Sequence, residues 1–285
     1  MQLLRPESVE DAVGALGNRS AAPGRSVALG GGTDLVPLLR DGIVAAETLV
    51  ELRRAVPHGV DGGTIGAGTT LGELEVDPVI PDALREACRL AASPQLRAMG
   101  TIGGNLLQAT RCAYWRLRFP CHLHGGDRCH AKEGQHREHA FFGNELCASA
   151  HPSDPAAALL ALDARVRTDR RELALAELYR LPTADDPATT RLASDEVIVE
   201  LDVRKPDASV YLKAMDRRRW AFPLVGVAIA RTGSETRIAL AGAAPVPWLL
   251  SSPEALDAAT PLPGTAYKVE IARALVRRAL GSVTA

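Results

Sequence analysis

Four cysteines, Cys112, Cys121, Cys129 and Cys147, fall within 36 positions of a 285-residue chain that holds one other, Cys88. Six of the seven histidines lie between residues 122 and 151. Thiolates are soft ligands, and four of them with no other evident task suit a [4Fe-4S] cluster or an all-cysteine zinc site. The spacing C-x8-C-x7-C-x17-C matches neither zinc-ribbon knuckles nor ferredoxin ligand runs, so it leaves the metal open. Cys88 reads as a small buried apolar residue. His122, His124, His130, His136 and His139 read as solvent-facing or as outer neighbours of the metal, one of which could hydrogen-bond a sulfur and shift its potential.

Three glycine turns offer a second chemistry. Gly30-Gly31-Gly32-Thr33-Asp34, Ile65-Gly-Ala-Gly-Thr-Thr and Thr101-Ile102-Gly103-Gly104-Asn105 each end on small hydroxyl, amide or carboxylate side chains. A dinucleotide pyrophosphate needs backbone N–H groups brought close to its oxygens, and glycine permits that approach. One such turn is as often an ordinary tight turn, but three could converge on one extended ligand. Neither a G-x-G-x-x-G fingerprint nor a G-x-x-x-x-G-K-[ST] loop is present, which argues against Rossmann and P-loop enzymes.

The elements that must position these groups are legible in the periodicity. Ser8 to Gly17 predicts a capped helix, residues 25–30 a strand, and Leu35 to Leu39 a helix after the first glycine turn, with Asp34 as its cap. Residues 47–52 predict a strand, residues 64–70 a strand and turn before a helical start at Leu71, residues 81–92 a helix, and residues 100–105 another turn. Gln108 to Phe142 dissolves into a polar loop, of a length that is functional or disordered in compact domains. Residues 155–163 then predict a helix that Asp154 could cap, and residues 165–168 a strand. Beyond a linker-like stretch at 181–196 come strands near 196–203, 209–213, 224–230 and 236–242, and a helix over 269–280. Lys213 alone reads as a solvated strand end, and Arg217-Arg218-Arg219 as a solvated turn or a nucleotide or partner contact.

Lys and Arg total 33 against 34 Asp and Glu, which removes the electrostatic term that dominates nucleic-acid affinity and shows no polybasic membrane anchor. No apolar run approaches bilayer length and the start carries no signal-peptide pattern, so the expectation is a cytoplasmic protein without nucleic-acid or membrane partners.

The motifs Leu29-Gly-Gly-Gly-Thr-Asp-Leu35, Ile65-Gly-Ala-Gly-Thr-Thr, Ala92-Ser-Pro-Gln-Leu-Arg, Gly100-Thr-Ile-Gly-Gly-Asn-Leu, His151-Pro-Ser-Asp-Pro, Tyr211-Leu-Lys, Phe222-Pro-Leu-Val and Ala266-Tyr-Lys-Val occur in this order along the chain. Together they resemble the FAD-binding medium subunit of the xanthine dehydrogenase and carbon monoxide dehydrogenase family of molybdenum hydroxylases. The resemblance implies an α+β fold. An FAD-binding domain of the PCMH and CO dehydrogenase flavoprotein type would span 1–180, as two α/β subdomains of about 1–55 and 56–180. A C-terminal antiparallel-sheet α+β domain would span 181–285. It also implies that Leu29 to Leu35 and Thr101 to Asn105, with Ile102 among them, hold FAD, and that Asp154 and Lys213 sit near the flavin.

Arg111-Cys-Ala-Tyr-Trp-Arg, Phe119-Pro-Cys, Gly125-Gly-Asp-Arg-Cys-His and Cys147-Ala-Ser-Ala-His are similar to an inserted loop of some members of the family. That similarity implies a [4Fe-4S] cluster on Cys112, Cys121, Cys129 and Cys147, within residues 108–150. It further implies partner chains, a molybdopterin-binding large subunit and a [2Fe-2S] small subunit, and a small-molecule or protein electron acceptor. Two alternatives are a stand-alone flavoenzyme acting on a small molecule and a non-redox zinc-binding module. Ala221 and Thr265 depart from the residues common at their places in the family.

Overall fold

The computed structural model describes residues 1–17, 26–216 and 221–284. The Arg217–Arg219 run therefore lies outside the described residues. Three sheets organise the chain. Strands β1 (Gln2–Leu4), β2 (Ser26–Leu29) and β3 (Thr48–Glu51) form a small parallel sheet in the order β1-β3-β2. A five-stranded antiparallel sheet, β4-β5-β8-β6-β7, joins β4 (Val60–Asp61), β5 (Thr64–Gly66), β6 (Arg165–Thr168), β7 (Glu172–Ala174) and β8 (Ile198–Asp202). The third sheet, β12-β11-β10-β9, is an antiparallel run of β9 (Ala208–Ala214), β10 (Val225–Thr232), β11 (Glu235–Ala241) and β12 (Trp248–Leu250).

β8 is central in the second sheet, paired on one side with β5 and on the other with β6. Strand β8 lies beyond residue 181 yet completes the second sheet, so a break at 181 would separate it from β5 and β6. Polar, Pro-rich composition reports a segment's own inability to pack, not where long-range strand pairing ends.

Side-chain size sorts the two faces of the third sheet. Val225, Val227, Ile229, Ile238 and Leu240 form one core with Ala272 and Val276 of the C-terminal helix Ala266–Thr284. Residues one position along, Ala228, Ala230 and Ala239, join the other core with Leu84 and Ala87 of the helix Asp82–Leu90 and Leu159 of the helix Asp154–Ala161. Alternation puts consecutive residues on opposite faces, and small ones let helix backbones come close. Every residue of Asp154–Ala161 is buried as a result.

That burial takes a charge with it. Asp154 is 2% exposed, and its carboxylate accepts from Lys213 Nζ at 2.8 Å and from the Tyr211 hydroxyl. Burial pushes the Asp154 carboxyl up while Lys213 and Tyr211 oppose the rise. Lys213 spends its other two N–H bonds on the carbonyls of Leu90 (2.9 Å) and Ala221 (2.7 Å). The strand-end lysine expected to be solvated is thus fully buried. Ser153, not Asp154, caps the helix, its hydroxyl accepting from Ala156 N–H at 3.0 Å. Cys88 is buried, as the sequence suggests. Among the described residues no helix is long and apolar enough to cross a membrane.

Breaking a buried pair strands the remaining charge, which costs about 3–5 kcal/mol. Lys213→Met is expected to lower unfolding stability by about that much, measured by urea denaturation. The double variant Lys213→Met with Asp154→Leu should recover most of the loss.

Candidate functional site

Two of the glycine turns meet. A Cβ on Gly31 would lie 1.7 Å from the Met99 carbonyl oxygen, and one on Gly30 would lie 2.8 Å from Thr101 Oγ1. Glycine is therefore demanded by the approach of one backbone to another, and Gly32 adds a φ of +74° that favours it again. The segment 100–105 is not the open turn expected. Thr101 caps a short helix, Ile102–Leu106, its hydroxyl accepting from Gly104 N–H at 3.2 Å. The helix is tied to the middle turn by Ile102 N–H to Thr69 O (2.8 Å) and Gly103 N–H to Ala67 O (3.0 Å).

Between these segments lies a cavity of about 460 Å³. Gly30, Gly31, Gly32, Thr33, Asp34, Leu35, Thr101, Gly103, Gly104, Asn105 and Asp154 line it, whereas Leu29, Ile102 and Lys213 do not. Ala67 and Gly68 of the middle turn also face it, so all three glycine turns contribute. The N–H groups of Gly31, Gly32, Thr33 and Asp34 find no acceptor among the described residues. Four free donors on a glycine turn beside a cavity suit an anionic oxygen cluster.

Asp34 does not cap the helix Leu35–Arg40. Its carboxylate instead accepts from Ala109 N–H (2.7 Å), from Arg116 Nη2 (2.9 Å) and from Arg111. Neither arginine stood out in the sequence, where the only signal was two basic residues flanking Cys112. Arg111 also lines the cavity and lies over the Phe222 ring, 4.7 Å from its centroid.

His151, next to the cavity-lining Pro152, is buried. Burial holds its imidazole down at about 4. Its Nδ1 accepts from Ser153 N–H (3.4 Å), and the Leu106 carbonyl, which also takes the Tyr179 hydroxyl (3.1 Å), is its other backbone partner. A second proton on this ring would face a donor.

The cysteine segment is short-helical rather than structureless, with helices Ala113–Arg116 and His130–Glu133 and a 3₁₀ turn at His122–His124. Phe141 and Phe142 root it in the core of the third sheet, both donating backbone N–H to Ala243 O, at 2.8 and 3.0 Å. Lys268 ties it further, its buried ammonium donating to the carbonyls of His139 (2.7 Å), Gly242 (2.8 Å) and Glu138 (3.3 Å). Burial lowers Lys268 to about 7.

Cys121 and Cys147 are buried, and Cys112 and Cys129 partly so. The free Cys129 sulfur accepts a hydrogen bond from the Cys147 thiol and backbone N–H groups from Ala148, Ala131 and Lys132, which hold its thiol down at about 5. Cys112 faces the N–H groups of Tyr114 and Trp115, with burial pushing it up. Among the described residues no three His, Cys, Asp or Glu side chains stand close enough to hold a single metal ion. His139 is buried, not solvent-facing, with Nε2 3.3 Å from Cys112 Sγ, so it is the one histidine of the segment at a cysteine sulfur.

Residues 1–206 match the family described as the FAD binding domain in molybdopterin dehydrogenase. The chain belongs to this family. Over 183 residues it is 39% identical to the aldehyde oxidoreductase FAD-binding subunit PaoB of Escherichia coli (strain K12), covering 60% of this chain and 58% of that protein. Over 110 residues it is 34% identical to the carbon monoxide dehydrogenase medium chain of Hydrogenophaga pseudoflava, covering 35% of this chain and 37% of that protein. The chain thus aligns with less than two thirds of the length of either relative. In fold, this family member is similar across 99% of its length to 96% of a chain of a carbon monoxide dehydrogenase from Hydrogenophaga pseudoflava that lacks the Mo-pyranopterin moiety, with a TM-score of 0.70 at 24% identity. Quinoline 2-oxidoreductase from Pseudomonas putida 86 gives a TM-score of 0.65 at 18% identity, covering 99% of this chain and 96% of that one. The α+β fold expected from the sequence is the fold found.

Two outcomes follow from this geometry. Gly31→Ala should wedge the first turn off Met99 and weaken FAD binding at least tenfold, read by flavin fluorescence titration. Because His151 titrates at about 4 when folded and at 6.5 when unfolded, the unfolded chain binds more protons between those values. Stability is then full above pH 6.5 and falls as pH drops through 4, by about 3 kcal/mol from this residue. Urea denaturation of His151→Gln across that range should show a flatter pH dependence.

Proposed function

We propose that this chain is the FAD-binding subunit of a molybdenum hydroxylase-type oxidoreductase and relays electrons between iron-sulfur centres, FAD and an external acceptor. The observation that carries the reading is the cavity walled by three glycine turns, with the free N–H groups of Gly31 to Asp34 on one side. These donors fit a pyrophosphate, whose oxygens accept several N–H groups at once. Gly30 to Gly32 and Thr33 would hold the phosphates, and Thr101, Gly103, Gly104 and Asn105 the region toward the ring. Asp34 serves this site through its arginines rather than by touching phosphate, since two anions in contact repel. Lys213 supports the wall through Asp154 and keeps its ammonium off the cavity. When bound, FAD supplies acceptance of two electrons and their release singly.

Within that function, Cys112, Cys121, Cys129 and Cys147 are proposed to hold a [4Fe-4S] cluster. The donor set of four thiols suits one, with the Cys129 sulfur facing backbone N–H groups that favour its thiolate. A four-iron cube is broader than one ion, so its ligands stand further apart than those of a mononuclear site, consistent with the lack of a tight single-ion cluster. Such a cluster supplies one-electron transfer. In this reading [2Fe-2S] centres belong to a small partner subunit and molybdopterin to a large one. The names of the relatives, a FAD-binding subunit and a medium chain, support a multisubunit enzyme. A part ending after β8 would carry the flavin, followed by a C-terminal part of the CO dehydrogenase flavoprotein type.

The test is an anaerobic visible spectrum of the full-length chain with flavin, iron and zinc analysis. Flavin bands over a broad brown shoulder are expected, with the shoulder lost in Cys121→Ser. Flavin with zinc and no iron would remove the relay, and a colourless protein would remove the whole reading.

A further inference from the structure

The glycine turn and the cysteine segment are fastened to each other at one carboxylate. Asp34 closes the glycine turn that lines the cavity, and it lies 75 residues before its partner Ala109. Its side chain is 17% exposed, and those of Arg111 and Arg116 are 20% and 19% exposed. Both arginines bond the same oxygen, Oδ1, while Ala109 N–H takes Oδ2. The arginines bracket Cys112. Arg116 N–H donates to the Cys112 carbonyl (2.9 Å), Arg116 Nε to the Thr110 carbonyl (2.9 Å), and Cys112 N–H to Thr110 Oγ1 (3.2 Å). Any displacement of Cys112 therefore moves Arg116.

If the fastening opens, two things happen at the glycine turn. The turn loses three bonds that fix its exit, and an uncompensated carboxylate is left beside the place proposed for a pyrophosphate. Both effects act against an anionic ligand, and charge-assisted bonds at partly buried sites are the stronger class. Arg111 lines the cavity and could touch a ligand itself, whereas Arg116 does not reach it. Arg116 acts on the cavity wall through Asp34 Oδ1 (2.9 Å) and, more weakly, through the Ala109 carbonyl (3.4 Å).

We propose that the Asp34–Arg111–Arg116 clasp couples dinucleotide binding at the glycine turn to the state of the cysteine segment, with Arg116 as the positioning residue. This rests on the flavin and cluster assignments above. A loop that has lost its metal releases Cys112, slackens the clasp and lowers FAD affinity. Linkage makes the effect reciprocal, so FAD strengthens retention of iron by the same factor.

The experiment titrates FAD into flavin-free, full-length wild type, Arg116→Gln, Arg116→Lys, Cys112→Ser and the Arg116→Gln/Cys112→Ser double variant. Arg40→Gln serves as a control, an exposed arginine on the helix that follows the turn. Flavin fluorescence gives Kd, and iron per chain is measured after dialysis with and without FAD. Arg116→Gln and Cys112→Ser are each expected to weaken FAD at least tenfold, about 1.4 kcal/mol, with the double variant no weaker than the worse single. Arg116→Lys should recover part of the loss, and Arg40→Gln should bind as wild type. Added FAD should raise iron retention in wild type and not in Arg116→Gln. Wild-type affinity in Arg116→Gln, or full additivity in the double variant, overturns the coupling alone. A wild-type chain that takes up no FAD overturns the site assignment and the coupling with it.

Discussion

The approach of Gly31 to the Met99 carbonyl is the contact on which the site is built. With a Cβ position only 1.7 Å from that oxygen, no other residue fits without parting the two segments. Their meeting closes one side of the cavity and leaves the N–H groups of residues 31–34 turned away from protein acceptors. Backbone N–H groups without protein partners are costly where buried, and on a glycine turn beside a cavity they suit the anionic ligand proposed above. Thr101 contributes twice, crowding Gly30 with its hydroxyl and using the same oxygen to start the next helix.

The opposite wall depends on a buried charge pair. Asp154 enters the interior because its helix is wedged between small residues of β10 and β11 and the helix Asp82–Leu90. Lys213 follows it in, and all three of its N–H bonds are spent there. Such a pair contributes little net stability relative to apolar replacements, but it fixes which side chains meet. Here it joins β9 to the Asp154 helix, to the end of the helix at Leu90 and to the segment at Ala221. A departure from the usual residue at 221 leaves this join intact, because a carbonyl, not a side chain, accepts the bond.

The cysteine segment is long, polar and yet held at both ends. Asp34 grips its start through Ala109, Arg111 and Arg116, and Lys268 grips its far part through the carbonyls of Glu138 and His139. Two aromatic side chains, Phe141 and Phe142, sink into the third sheet's core. A fastened segment loses less entropy on binding any ligand than a free loop does. The fastening also places its first cysteine within a few bonds of the cavity.

The sequence alone determined the elements and the chemical types. Apolar runs marked β5, β6, β8, β9, β10 and β11 but not the short β4, β7 and β12, capping residues marked the helices at 9–17 and 154–161 to within two residues, and the repeated glycines marked the turns that line the cavity. These are local properties, set by steric freedom and by which face must be buried. Tertiary structure decided the partners. It gave Asp34 to two arginines instead of a helix end, Ser153 instead of Asp154 to the cap, and Lys213 to the interior instead of solvent. It also carried β8 back across a linker-like stretch into a sheet begun more than a hundred residues earlier. Charges and hydrogen-bond donors can satisfy themselves with many partners of the same type. Which one they take depends on what packing brings within reach, and no local pattern encodes that.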